Sequence, residues 1–375
     1  MTSVLIRTIA TASTHYFGHA TLNQPGSLNA LTLDMVQQLD PALAHWAADP
    51  QCAGVLLDGA GEKAFCAGGD VVSMARAIKA QPSGTVPTMC SDFFEAEYRM
   101  DYRIHRFPKP LMVWGHGITM GGGIGLLAGA SHRVATERTR LAMPEIAIGL
   151  YPDVGGSWFL SRMPGGIGAF LALTAAALNA HDARFIGLAD FIVPHAHYAS
   201  VQNAIHASAW SGNCRNDAAQ LSHLLALHAP NPTAHTALAP SPLRAHFDTI
   251  QQTIGHDRLS DIAGRLEALA QHPDPWLAAA GTAFLKGAPT SAALGLKLQR
   301  RARHMALADV FRMEYIVSGH CCMGTEFAEG VRALLIDKDR TPHWQPDRLE
   351  ALDPAHINRH FAPWFVGPHP LADLA

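Results

Sequence analysis

The sequence is poor in the features that mark several common classes of protein. Its six cysteines, at positions 52, 66, 90, 214, 321 and 322 of 375 residues, show no CxxC spacing and no disulfide framework. They fit a reduced, cytoplasmic protein, and Cys66 reads as a small packed hydrophobe. The 22 histidines include no HExxH, and His195-x-His197 alone does not make a metal site. These histidines are read as solvated surface residues, with no metal expected. Charge is sparse and nearly balanced, 28 Lys plus Arg against 31 Asp plus Glu, so no basic footprint for nucleic acid is present. No uncharged apolar run reaches the ~18 residues of a membrane span, and "MTSVLIRTIATAST" lacks the apolar core of a secretory signal. "GGSWF" (155–159) is not GxSxG, which removes the strand-to-helix nucleophile turn of serine hydrolases.

What is present alternates. Strand is expected at 14–22 after a short β-rich opening, then helix over 31–46 with Thr32 as N-cap, and strand at 54–59. Helix near 92–106, strand at 111–115, helix from 122, strand at 132–136 and helix near 166–178 continue the series. Such alternation predicts an α/β core, placed at 1–205. Beyond it, alanine- and leucine-rich helical segments predict a helical region over 206–375, broken at Pro230, Pro232, Pro240 and Pro242, with an irregular proline-rich tail after about 340. No internal repeat is visible in the sequence.

Two glycine-rich stretches follow strands. "AFCAGGD" (64–70) and "GHGITMGGGIGLLAGA" (115–130) would let a ligand approach the backbone, since no Cβ stands in the way. The second opens a helix, whose free N–H groups suit a developing anion. The bland alternative is tight turns and close packing. A rival also exists: Gly123, Gly125 and Ala128 match GxGxxA, with Glu145 downstream, as in dinucleotide-binding turns.

"MPEIAIGLYPDVGG" (143–156) then holds two carboxylates, Glu145 and Asp153, in apolar, glycine-rich surroundings. Acids are rarely buried unpaired. Singly, each has an ordinary explanation: Glu145 in the first turn of a helix, Asp153 in a turn, and Glu97 on a solvated helix face.

Together these stretches resemble the crotonase (enoyl-CoA hydratase/isomerase) superfamily. The matching pieces are "LNALTLDMV" (28–36), "GEKAFCAGGDV" (61–71), "KPLMVWGHGITMGGGIGL" (109–126) and 133–165. "FFEAEYRM" (93–100), "MPE…PDVGG" and the segment 313–344 resemble its 3-hydroxyisobutyryl-CoA hydrolase branch. The resemblance implies a spiral of ββα turns with a helical C-terminal extension, acyl-CoA as substrate and no separate cofactor. It also implies no membrane or nucleic-acid partner and a homo-oligomer, a trimer or pair of trimers. It assigns the N–H groups of Gly69 and Gly122 to an oxyanion hole, and Glu97, Gly122, Glu145 and Asp153 to substrate binding. Glu145 and Asp153 become the catalytic carboxylates.

The superfamily's hydratases use two glutamates; one position is Glu145, and the other falls at Gly125, which has no side chain. Hydration is therefore disfavoured. Isomerisation with Glu145 alone, or acyl-CoA binding without catalysis, are the alternatives to thioester hydrolysis. Gln24, Gly26 and Ser27 stand where relatives carry basic residues for the CoA phosphates, and Trp114, Trp158, Phe159 and Phe170 are candidates to narrow an acyl pocket.

Overall fold

The computed structural model describes residues 2–82, 84–230 and 239–375; Pro232 lies outside them. Nine strands are described: β1 (Val4–Ala10), β2 (Tyr16–Leu22), β3 (Cys52–Gly59), β4 (Ala64–Cys66), β5 (Leu111–Gly115), β6 (Ile118–Met120), β7 (His132–Ala135), β8 (Arg140–Ala142) and β9 (Phe191–Ile192). They form a six-stranded sheet in the order β1-β2-β3-β5-β7-β9 and a three-stranded sheet in the order β4-β6-β8. In the six-stranded sheet β1 and β2 pair antiparallel, and β2-β3, β3-β5, β5-β7 and β7-β9 are parallel.

The order exposes a repeat that the residues alone conceal. Each of β3, β5 and β7 sits in the large sheet and is followed within a few residues by β4, β6 or β8 in the small one. A helix follows the first two pairs, at Val71–Ala80 and Gly122–Ala128. This is a ββα unit repeated in backbone geometry without repeated side chains. β3 and β5 read as continuous apolar runs because both are buried along nearly their whole length.

Two compact units emerge, interleaved along the chain. The first comprises Met1–Gly69, Met100–Leu141 and Leu178–Arg244; the second comprises Asp70–Arg99, Ala142–Ala177 and Ala245–Ala375. The division by packing and the compositional boundary at 205 thus describe different things. In the first unit, one face of the large sheet packs Phe17, Leu56, Met112, Trp114 and Val134 against Val201, Ile205, Trp210 and Leu221. The last four come from the helices Tyr198–Ala207 and Cys214–His228 and the turn between them. Burying each such side chain contributes roughly 1.5–3 kcal/mol. Helix Leu33–Ala48 starts where expected, with the Thr32 hydroxyl accepting from the Met35 N–H at 3.2 Å. The second unit is helical, and its C-terminal part runs through helices Phe247–Ile254, Leu259–Leu269, Pro275–Lys286, Pro289–Ala302 and Leu307–Met323.

Several histidines contradict the surface reading. His19, His116, His132 and His360 are buried. A ring nitrogen can donate or accept according to its tautomer, and each of these buried rings finds a partner within the fold. His132 Nε2 lies 3.1 Å from the Ala218 carbonyl and 3.0 Å from Ser222 Oγ, and His19 Nε2 lies 2.9 Å from Asp58. Among the described residues, no cluster of His, Cys, Asp and Glu has the geometry to hold a metal ion, and no helix is long and apolar enough to cross a membrane.

Candidate active site

The sequence-selected residues divide between the two units. Gly69 and Gly122 belong to the first; Glu97, Glu145 and Asp153 belong to the second.

In the first unit, the segment after β4 is pinned by backbone bonds: the Ala67 N–H donates to the Leu28 carbonyl at 3.0 Å and the Leu31 N–H to the Gly68 carbonyl at 2.7 Å. Gly68 sits at φ +104°, and a Cβ there would stand 3.3 Å from the Met120 carbonyl oxygen and 3.7 Å from the Gly122 nitrogen. The two glycine segments therefore lie side by side, and only glycine fits the left-handed position between them. Gly122 heads the helix Gly122–Ala128, so its N–H has no acceptor within that helix. The dinucleotide alternative fails on the same geometry. Gly123 and Gly125 lie inside this helix rather than in the turn before it. A Cβ on Gly123 would meet the Cys66 carbonyl oxygen at 2.3 Å, so that glycine is required for packing.

In the second unit, helix Thr88–His105 supplies Phe94, Glu97 and Tyr98 from one face, at i, i+3 and i+4. Glu97 is 2% exposed, which removes the solvated-face reading. Glu145 opens a short turn of helix, Glu145–Ile148. It is 4% exposed and its Oε2 has no hydrogen-bond partner among the described residues. Asp153 is 5% exposed, and the backbone beyond it is strained. Val154 has φ +53° and Gly155 φ +79°, and a β-branched residue in the left-handed region is costly unless its surroundings enforce it. The enforcement is visible. The Gly155 and Ser157 N–H groups donate to the two carboxylate oxygens of buried Glu314, at 2.8 and 2.9 Å. Helix Leu307–Met323 carries that glutamate.

Asp153 is itself held by a hydroxyl. Tyr98 donates to its Oδ2 at 2.6 Å, a length typical of an O–H bond to an ionised carboxylate. The Tyr98 oxygen lies 2.8 Å from Ser318 Oγ, which lies 2.8 Å from the Tyr151 oxygen; Tyr151 reaches the Glu314 carbonyl oxygen at 2.7 Å. Tyr98, Tyr151, Ser318 and Glu314 went unnoticed in the sequence. Their signal was spacing: Tyr98 follows Glu97 on a buried helix face, and Glu314 and Ser318 are four apart on another.

Burial separates the protons of this cluster. It raises Glu145 well above the ordinary carboxylate range, and the Asp153 charge raises it further. Burial also pushes Asp153 up to about 6, opposed by the Tyr98 hydrogen bond. Glu314 is pushed up to about 8 by burial and by the Asp153 charge, against the bonds from Ser157 and Gly155. Near neutral pH, Asp153 is the ionised member and Glu145 keeps its proton. Two neighbouring carboxyls in different protonation states can serve as an acid and a base at once.

The aromatic candidates for narrowing an acyl pocket lie in packed surroundings. Trp114, 1% exposed, lies in the sheet core with its ring 5.0 Å from that of Tyr198. Phe170 is fully buried, 5.6 Å from the Trp276 ring, and Phe159 is 8% exposed. Trp158 lies under the Arg162 guanidinium at 4.3 Å.

Comparison with known proteins identifies the family. The family model described as enoyl-CoA hydratase/isomerase matches residues 17–361. The chain is 39% identical over 346 residues to the mitochondrial 3-hydroxyisobutyryl-CoA hydrolase of Gallus gallus, covering 92% of this chain and 86% of the relative. It is 37% identical over 344 residues to that of Homo sapiens, with the same coverage. Among solved structures, a carnitinyl-CoA dehydratase from Mycobacterium thermoresistibile superposes with TM-score 0.84 at 34% identity, over 99% of both chains. An enoyl-CoA hydratase from Rhodobacter sphaeroides 2.4.1 gives 0.81 at 36% identity, over 96% of this chain and 98% of that one. With its repeated ββα units and helical C-terminal region, the chain belongs to the enoyl-CoA hydratase/isomerase family.

Proposed function

We propose that this protein hydrolyses the thioester of a short 3-hydroxyacyl-CoA, with 3-hydroxyisobutyryl-CoA, an intermediate of valine breakdown, as its preferred substrate. The observation that carries the reading is the buried pair Glu145 and Asp153, one protonated and one held ionised by Tyr98. The names of the curated relatives support it.

In this reading the N–H groups of Gly69 and Gly122 receive the thioester oxygen as it becomes an oxyanion, a contribution of several kcal/mol when two donors converge. Glu145 must be ionised to act, so its proton first passes to Asp153. Glu145 then attacks the carbonyl carbon to give a mixed anhydride, or takes a proton from the water that attacks it. As the C–S bond breaks, Asp153 delivers its proton to the CoA thiolate; in the anhydride route it then takes a proton from the water that attacks the anhydride, which releases the acid and restores Glu145. Glu97 binds the hydroxyl of the acyl group. Coenzyme A is part of the substrate and no further cofactor is required. Six free cysteines, five of them buried, support a reducing compartment such as the cytoplasm. Assembly as a homo-oligomer is proposed on the family resemblance, to be checked by light scattering.

A second reading, hydration or isomerisation of an enoyl-CoA, is favoured by the names of the two solved structures. Against hydration stands Gly125, without a side chain where hydratases carry a second glutamate. A panel of acyl-CoAs separates the readings. 3-Hydroxyisobutyryl-CoA should release free thiol, while crotonyl-CoA should keep its enoyl absorbance. Rapid loss of that absorbance without thiol release would replace the hydrolase with a hydratase, and double-bond migration in a 3-enoyl-CoA would indicate an isomerase.

A further inference from the structure

The chain of hydroxyls behind Asp153 has more contacts than hydrogens. Four contacts run from Asp153 Oδ2 through Tyr98, Ser318 and Tyr151 to the Glu314 carbonyl, at 2.6, 2.8, 2.8 and 2.7 Å. Three hydroxyls supply three hydrogens. With Asp153 ionised, Tyr98 donates to it and Tyr151 to the Glu314 carbonyl, which leaves Ser318 one hydrogen for its two contacts, with Tyr98 and with Tyr151. With Asp153 protonated there are four hydrogens for four contacts: Asp153 donates to Tyr98, Tyr98 to Ser318 and Ser318 to Tyr151, which keeps its bond to that carbonyl. The three contacts between Asp153 and Tyr151 suit a hydrogen bond in either direction, so reversal needs only the Tyr98 and Ser318 hydrogens to rotate as the carboxyl gains its proton. Tyr98, Tyr151 and Ser318 are fully buried.

We propose that Tyr98 and Ser318, anchored by Tyr151 on the Glu314 carbonyl, form a hydrogen-bond chain that reverses with the charge of Asp153. Tyr98 is then the positioning residue that lets this carboxyl receive a proton and later give it up. The chain rests on geometry alone; its use within a turnover rests on the hydrolase reading. The Asp153 charge also raises the ionisable groups around it. Glu145 and Tyr151 share its segment, and Glu314, Cys321 and Cys322 come from helix Leu307–Met323. Asp153 itself is raised by burial, and the Tyr98 bond is the largest effect opposing that rise.

Two conservative substitutions cut the chain in different places. Tyr98→Phe removes the bond to the ionised carboxylate. Ser318→Ala leaves that bond but removes the acceptor Tyr98 needs once it reverses. The readout is an infrared carboxyl titration of the full-length, substrate-free protein, with the Asp153 band identified by its loss in Asp153→Asn. Tyr98→Phe should move the Asp153 titration upward by about one pH unit or more. Ser318→Ala should move it downward, by less. An unmoved titration in Tyr98→Phe overturns the positioning role, and an upward shift in Ser318→Ala overturns the reversal. Neither result depends on activity, so failure of the hydrolase reading would show separately, as absence of thiol release by the unmodified protein.

Discussion

The two units handle charge in opposite ways. The sheet-bearing unit offers backbone: Gly68, Gly69 and Gly122 present bare main chain, and what matters there is the absence of side chains. The helical unit offers buried acids, Glu97, Glu145, Asp153 and Glu314, with hydroxyls and amides arranged around them. A backbone donor keeps its properties whatever the pH. A buried carboxyl is set by its neighbours, so one unit is fixed chemistry and the other is adjustable. Substitutions on each side should therefore fail differently.

The largest effect is expected from Glu145→Gln, which preserves size but removes the base or nucleophile. Loss of a positioned base costs ~10²–10⁴-fold in rate, and the loss should persist at every pH. On the backbone side, Gly122→Val keeps the N–H but places a branched side chain beside it. Obstructing one oxyanion donor should lower kcat by ~10²–10³-fold, with the shape of the pH profile unchanged and the melting temperature near that of the unmodified protein. A changed pH profile in this variant would blur the division between fixed and adjustable chemistry. Near-normal turnover would make Gly122 a packing glycine.

How much of this was readable in advance follows the same division. The strand–helix alternation and the glycine turns are local, and the strands at 16–22, 52–59, 111–115 and 132–135 lie where periodicity puts them. Strands β4, β6 and β8, of three residues each, are too short for any periodic signal. Glu145 and Asp153 stood out because acids in an apolar segment are conspicuous. Their partners did not. Tyr98, Ser318 and Glu314 look like ordinary residues of amphipathic helices until the fold brings positions more than 150 residues apart into contact. Trp114 shows the converse: a large aromatic beside a glycine turn suggested a pocket wall, yet strand alternation turns it into the sheet core.

The smallest effect expected is on stability. Asp153 and Glu314 have their carboxyl pKa values raised by burial, to about 6 and about 8. Folding therefore binds protons, and the stability these groups contribute is complete below the unfolded range near 4 and is lost as pH rises through 6 and then 8. Melting temperature should fall over that interval in the absence of substrate. Asp153→Asn should flatten the lower part of the fall, giving a gain of roughly 2–3 kcal/mol at pH 8. A steeper fall in the variant would mean that the ionised Asp153 is a net stabilising group.

The account depends most on Glu145 and Asp153 sharing one proton and acting as a unit. The direct measurement is kcat for thiol release from 3-hydroxyisobutyryl-CoA by Glu145→Gln, Asp153→Asn and the double variant, each with a melting curve to confirm folding. Residues that act together are strongly non-additive, so the double variant should be about as slow as the slower single one. Losses that multiply, or a single variant that keeps close to full kcat, would contradict the shared proton.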